Sequence, residues 1–149
     1  MPKLSLKAAA LLALAAHCLA GLAMLAVLGR GLATNTDLPA RMAFVRDNPA
    51  LWRAAWLCWT AASASILLCF AAMSRAYGGP GWAPPTTAMA VCLDLSAQAL
   101  YVFLLPRLAG DAAAFLACDR MAVLLTGALA NGLYTAAAVG LAWKAPYGR

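Results

Sequence analysis

One apolar stretch, Thr86 to Pro106, constrains the fold most, because it is long enough to cross a bilayer and carries polar side chains in its middle. Asp94, Gln98 and Tyr101 follow one another at i, i+4 and i+7, which places them on one face of a helix. A carboxylate near the centre of a spanning helix costs about 2.5–3.5 kcal/mol on insertion-based scales, so it has to face protein or enclosed water. The sequence therefore predicts that other helices cover this polar face.

The composition places this helix in an integral membrane protein. Hydrophobic residues make up 65% of the 149 residues and charged residues 11%, whereas soluble domains have about 45–50% and about 25%. Breaker-rich connectors divide the chain into four apolar runs. We predict an all-α bundle of four antiparallel transmembrane helices that forms a single domain over residues 1–149. The predicted spans are residues 8–28, 50–73, 86–106 and 119–142.

The first apolar run follows a short basic segment, as the core of a signal peptide also does. Its 21 uncharged residues, Ala8 to Leu28, exceed the ~7–15 residues that are usual for such a core, and no small-x-small cleavage site closes it. We therefore interpret the run as a retained helix rather than as a cleaved signal.

The first loop has the pattern of a short helix that lies in the membrane interface. Thr36 or Asp37 can cap this helix, and its apolar residues share one face while Arg41 and Arg46 point elsewhere.

The second span follows directly and opens with three tryptophans. We interpret these as an aromatic belt, with Trp52 and Trp56 at headgroup depth, together with helix packing, rather than as a ligand cage, because belts are the usual role of tryptophan at this position. The tryptophans are Trp52, Trp56 and Trp59.

The fourth span carries a ridge of small residues, one at every fourth position. Such a small-xxx-small ridge allows two helices to approach closely, so we predict that it forms a tight helix–helix contact. On the neighbouring face, Asn131 and Tyr134 lie three residues apart and can form hydrogen bonds across the bundle. The ridge consists of Ala128, Gly132, Ala136 and Gly140.

The midpoints of the four spans predict a layer of polar residues at the centre of the bilayer. The layer includes the only histidine, His17, and the only acid outside the predicted loops, Asp94. Ionisable groups inside a membrane are functional candidates, and we hypothesise that these two form a pair or a short relay. Interhelical hydrogen bonding alone is the competing interpretation. The predicted midplane site comprises Asp94, His17, Asn131, Gln98, Ser63, Tyr101 and Tyr134.

The sequence contains none of the common motifs for catalysis, cofactors or metals. The five cysteines form no CxxC pair, one histidine cannot supply two haem ligands, and no Gly-rich phosphate loop, GxSxG or HExxH occurs. We therefore predict no catalytic residues, no cofactor and no metal. The net charge of +6 comes without a basic run, so it favours anionic lipid headgroups over nucleic acid. Besides the lipid bilayer, the expected partners are a second copy or another membrane subunit.

The orientation in the membrane is weakly determined. Lysine and arginine number five on the side of the termini and six on the other side, so the positive-inside rule gives almost no preference. We adopt cytoplasmic termini as the working prediction.

Three segments read together resemble a family of uncharacterised bacterial multi-pass membrane proteins, a domain of unknown function. The segments are DNPALWRAAWLCW, LDLSAQALYVFLLPRLA and LANGLYTAAA. The resemblance covers about Asp37 to Val139 and rests on an Asn-Pro-x-x-Trp-Arg start, an acidic third span and an Asn-Gly-Leu-Tyr fourth span. It implies the same topology and a bacterial inner membrane location, and it carries no known activity.

Two classes of function follow from the sequence. The first is a transporter-like or regulatory membrane subunit whose midplane layer handles a proton or a small polar solute, as midplane sites in transporters do. The second is a structural or interaction protein in which the layer only packs the helices, and a membrane enzyme without a recognisable motif is third. Asp94 separates the first two classes, because asparagine can replace a packing residue but cannot carry a proton.

Overall fold

The structure is a computed structural model that describes residues 4–144. Every regular element in that range is helical, which confirms the predicted all-α fold. Lys3 and Arg149, two of the charges used to predict orientation, lie outside the described residues. The helices are α1 (Leu6–Ala26), α2 (Leu38–Asp47), α3 (Pro49–Tyr77), α4 (Ala83–Ala99), α5 (Ala112–Val123) and α6 (Asn131–Ala142).

Four helical segments are long and apolar enough to cross a membrane. Their outward faces carry many exposed leucines, among them Leu14, Leu22 and Leu25 of α1. Such a surface is stable in lipid and not in water. The chain is therefore a multi-pass membrane protein in a lipid bilayer. The four spans are Leu6–Arg30, Pro49–Tyr77, Ala83–Leu108 and Ala112–Ala142.

The third span occupies the centre of the bundle. Its helix α4 packs against α3 on one side and against the fourth span on the other, so its polar face is covered, as the sequence requires. Helix α1 packs against α3 and, among the described residues, makes no comparable contact with the fourth span. The bundle therefore leaves a gap between its first and last spans.

Both later spans depart from regular α-helical geometry. The third span continues from α4 through a π-helical stretch (Leu100–Leu104), and a second π-helical stretch (Leu124–Ala130) joins α5 to α6. In the first stretch the Leu105 N–H donates to Leu100 O, and Pro106 has no N–H to donate. The carbonyl of Tyr101 is therefore free to accept a hydrogen bond from another helix.

Trp52 of α3 uses this free carbonyl. Its Nε1–H donates to Tyr101 O over 2.7 Å, and its ring lies edge-on to the Tyr101 ring with 6.2 Å between centroids. Trp56 stacks on the same tyrosine at 4.4 Å. Both tryptophans are buried in the protein core, which confirms the packing part of their predicted role, but they do not face outward as an aromatic belt does. Aromatic pairs in such arrangements contribute about 0.5–1.5 kcal/mol beyond the burial of their area.

The predicted helix of the first loop forms as α2, and Asp37 caps it by accepting from the Ala40 N–H at 3.0 Å. The helix docks on the bundle through Val45, which is fully buried. Arg41, one turn before Val45, is buried as well, so the prediction that it points elsewhere than the apolar face is wrong. The preceding loop can approach because of Gly31, where a Cβ would lie 2.6 Å from the Trp52 ring and 2.8 Å from Val45.

The small-residue ridge of the fourth span does not pack within the chain over most of its length. Ala128, Gly132 and Ala136 are exposed, and a Cβ at Gly132 would meet nothing within 4 Å. A repeat of four residues advances about 40° per step on a helix with 3.6 residues per turn, so the ridge winds around the helix. Its last member, Gly140, does reach a neighbour, the Trp82 ring. A tight helix–helix contact along the rest of the ridge stays a prediction.

Candidate functional site

Asp94 lies at the centre of the bundle and accepts hydrogen bonds from two neighbouring spans. Ser63 Oγ on α3 lies 2.5 Å from its Oδ2, and Thr126 Oγ1 of the second π-helical stretch lies 2.5 Å from its Oδ1. Gln98, one turn further along α4, approaches Oδ2 at 3.4 Å. The residue is buried, with 8% of its surface exposed. These contacts tie three helical segments together at one acid.

Gln98 extends the cluster towards α3. Its Nε2 donates to Ser63 Oγ at 3.0 Å, and its Oε1 accepts from Thr60 Oγ1 at 2.7 Å. We call the group of Thr60, Ser63, Asp94, Gln98 and Thr126 the Asp94 network. Every side-chain oxygen and the amide nitrogen in it has a partner within the group.

The network accommodates Asp94 with or without a proton. Ser63 Oγ also lies 3.0 Å from Trp59 O, and a hydroxyl has only one proton to donate. If Asp94 is ionised, Ser63 donates to it. If Asp94 is protonated, its O–H can donate to Ser63, whose own proton then turns to Trp59 O. A proton can therefore join or leave Asp94 without leaving an unpaired group in this part of the network.

Asp94 has no cationic partner among residues 4–144, where the ion pairs are Arg41–Asp119 and Arg46–Asp47. A buried carboxylate without a counter-charge is costly even when it is hydrogen-bonded. An external cation at this position would therefore stabilise the carboxylate.

A cavity of about 480 Å³ lies against the Asp94 network. Exposed residues of the first loop, Ala33 and Thr34, line one end of it, and Tyr134 and Asp94 line its deep part. Asn131 lies at its rim and is exposed. All six of the other predicted midplane residues thus line this cavity together with Asp94. They are His17, Ser63, Gln98, Tyr101, Asn131 and Tyr134.

His17 lines the cavity from α1 but does not contact Asp94. Its Nδ1 lies 2.7 Å from Ala13 O, and because a carbonyl can only accept, Nδ1 carries a proton. In the neutral ring Nε2 is then an acceptor. No hydrogen bond joins His17 to Asp94 in the described part of the chain, so a relay between them would have to cross the cavity.

Three further residues of the cavity wall carry buried polar atoms with no hydrogen-bond partner within residues 4–144. These atoms are Trp56 Nε1, Trp59 Nε1 and Tyr134 Oη. Buried polar groups in proteins are nearly always paired, and an unpaired one is costly. Their concentration around one cavity indicates a place where a polar guest is stabilised.

Tyr101, which the sequence assigns to the polar face of Asp94, forms its hydrogen bond elsewhere. Its hydroxyl donates to Asp119 Oδ1 at 3.2 Å, and Arg41 Nη2 lies 2.5 Å from Asp119 Oδ2. Arg41 also donates from Nε to Gly31 O at 3.2 Å and lies over the Phe115 ring. This second polar cluster fastens α2 and the first loop to the fourth span.

Sequence reasoning did not identify Thr60, Thr126, Arg41 or Asp119. Threonines in apolar helices usually bond to a carbonyl of their own helix, so Thr60 and Thr126 give no signal. The sequence assigns Asp119 to the start of the fourth span, outside the membrane core, because the unbroken stretch from Ala112 is longer than a bilayer needs; the structure buries this acid in the protein. An acid within a continuous helical pattern was the signal that could have revealed it.

Comparison with family models, curated proteins and solved structures found no match to this chain. Within residues 4–144, no three His, Cys, Asp or Glu side chains lie close enough together to hold a metal ion. The Asp94 network and its cavity are therefore the features of the molecule that indicate a function.

Proposed function

We propose that this protein is a transporter-like or regulatory membrane subunit that admits a proton or a small polar solute to Asp94 through the cavity. The observation that carries the proposal is that the Asp94 network forms part of the cavity wall: Ser63, Asp94 and Gln98 belong to both. A residue buried for packing alone would have no reason to border a cavity of this size.

The chemistry of the network supports the handling of a proton or solute. Asp94 keeps its hydrogen bonds in either protonation state, since Ser63 can reverse the direction of its bond. The π-helical stretch that presents Thr126 to Asp94 belongs to a class of distortion that is frequent at functional sites. Both features suit an acid that changes state during function.

We further propose that the protein resides in a bacterial inner membrane with cytoplasmic termini, and that it belongs to the family it resembles. Because the first loop lies at the opposite end from the termini, the loop end of the cavity then faces away from the cytoplasm. The resemblance of three segments is the support for the family and the location.

A structural or interaction protein is the second candidate. The observation that favours it is that Asp94 accepts a hydrogen bond from α3 and another from the fourth span, which is how interhelical hydrogen bonds hold membrane helices together. In that case water and solutes would not reach the cavity.

Cysteine labelling in membranes distinguishes the two candidates. In a chain whose five cysteines are replaced by alanine, we introduce Asn131→Cys at the cavity rim and Leu129→Cys as the matched control. Both positions are exposed in the same helical span, and Leu129 does not line the cavity. N-Ethylmaleimide needs a thiolate, which forms in water and not in lipid.

We expect Asn131→Cys to be labelled and Leu129→Cys to remain unlabelled in folded protein. If neither reacts, the cavity is closed to water and the structural candidate is correct. If both cysteines react equally, water and the reagent reach this span from outside the cavity as well, and the cavity provides no separate route.

A further inference from the structure

We infer that the cavity binds a small organic cation, an ammonium group with apolar substituents, and that Asp94 provides its counter-charge. The inference rests on the proposed function, because it requires that solutes enter the cavity. It is drawn from the charges, the walls and the size of the cavity.

The charges of the cavity favour a cation. Among residues 4–144, Asp94 is the only acid that lines it, no lysine or arginine lines it, and Asp94 forms no ion pair. His17 is the one other group that could carry a positive charge, and it does not contact Asp94. A carboxylate has about four acceptor positions on its two oxygens, and the network uses three of them, which leaves one on Oδ1.

The walls of the cavity favour an ammonium over a hydrated metal ion. Trp56, Trp59, Tyr101 and Tyr134 line it. Aromatic faces attract cations through the ring quadrupole, and tryptophan does so best, which is why aromatic cages recognise quaternary ammonium groups. An anion would be repelled by Asp94 and by the ring faces, so both features select the same sign of charge.

The size of the cavity and its apolar lining residues indicate which substituents the ammonium nitrogen of the ligand would carry. A volume of about 480 Å³ lies within the range of about 300–1,000 Å³ that is typical of sites for organic ligands. Met24, Ile66 and Val123 contribute apolar surface, which alkyl groups on the nitrogen would cover. An acceptor atom on the ligand could also pair with an indole N–H of the wall.

The test measures whether cations protect Asn131→Cys from N-ethylmaleimide. The probes are tetraethylammonium and choline, and 3,3-dimethylbutan-1-ol serves as the uncharged analogue of choline. At ten times its Kd, a protecting cation leaves about one tenth of the sites free, so labelling should slow about tenfold. The uncharged alcohol should leave the labelling rate unchanged.

Two variants locate the counter-charge. Asp94→Asn in the same background should be labelled as fast as its parent but should lose protection by both cations. Asp47→Asn removes an equal charge from an exposed ion pair outside the cavity and should keep full protection.

Each outcome has a distinct meaning. Labelling that neither cation slows overturns the inference and leaves the proposed function standing. Equal protection by the alcohol, or protection that persists in Asp94→Asn, also overturns it. Absence of labelling at Asn131→Cys contradicts the proposed function itself. If Asp94→Asn does not fold, the comparison between choline and its uncharged analogue still decides whether the cavity selects positive charge.

Discussion

Two ion pairs in this protein have the same chemistry in opposite surroundings. The Arg41 and Asp119 side chains are 6% and 5% exposed, whereas the Arg46 and Asp47 side chains are 59% and 57% exposed. The hydrogen bond from Arg46 lowers the pKa of Asp47 below its usual value, yet water screens an exposed pair and reduces its contribution to stability. In the buried pair, Asp119 also accepts from Tyr101 and Arg41 also donates to Gly31 O. Water could not make these contacts if one partner were removed.

At the scale of single residues, we therefore predict opposite results for two matched substitutions. Asp119→Asn leaves the buried Arg41 guanidinium without a counter-charge, and removing one partner of a buried pair costs about 3–5 kcal/mol. Asp47→Asn should leave stability unchanged. Thermal unfolding in detergent measures both variants against the parent. Equal melting temperatures for the two variants would show that the pair of α2 and α5 does not hold the first loop.

At the scale of elements, the side of the fourth span that faces the rest of the bundle changes along its length. Its buried alanines, Ala122, Ala130 and Ala137, do not belong to the predicted ridge. The second π-helical stretch contains the start of the ridge, and its i→i+5 bonding shifts the angle of each later side chain relative to a regular helix. The ridge is therefore open to lipid or to a second copy, except at Gly140.

Two glycine substitutions test this arrangement. A Cβ at Gly140 would lie 2.6 Å from Trp82 Cζ2, while one at Gly132 would meet nothing within 4 Å. We expect Gly140→Leu to lower the thermal stability of the solubilised monomer and Gly132→Leu to leave it unchanged. If Gly132→Leu is as damaging as Gly140→Leu under monomeric conditions, the ridge packs inside the chain after all. A loss seen only at high protein concentration would indicate that the ridge contacts a second copy.

At the scale of the whole molecule, four spans in alternating directions place residues 4 and 144 on one side of the membrane. The same geometry puts α2 and the first loop on the other side, above the end of the cavity that Thr34 lines. Access to the cavity and the position of the termini are therefore linked.

Sidedness can be measured with fused reporters. We expect green fluorescent protein to fluoresce when fused at either terminus, because it folds in the cytoplasm, and not when inserted between Asn35 and Thr36 of the first loop. A periplasmic alkaline phosphatase at the same three positions should give the reverse pattern. Opposite results for the two termini would exclude four spans, and a uniform reversal would exclude cytoplasmic termini alone.

The sequence by itself determined the class of protein, the number of spans and the presence of a polar centre. These properties follow from hydropathy and helical spacing, which are local and add up along the chain. The cap at Asp37, the interfacial helix of the first loop and the shared face of Asp94 and Gln98 depend on residues a few positions apart, and for that reason could be predicted.

Only the tertiary structure decided which residues meet across the bundle. Of the predicted layer, Ser63 donates to Asp94, whereas among the described residues His17 and Asn131 form no hydrogen bond with it. Thr126, which the sequence did not single out, donates to Asp94, and Arg41 pairs with Asp119, 78 positions away. Such pairings depend on how each helix is rotated about its own axis and on how closely it approaches its neighbours. In this protein two π-helical stretches and the close approach of the loop at Gly31 set those rotations and distances, and neither appears in a pattern that assumes 3.6 residues per turn.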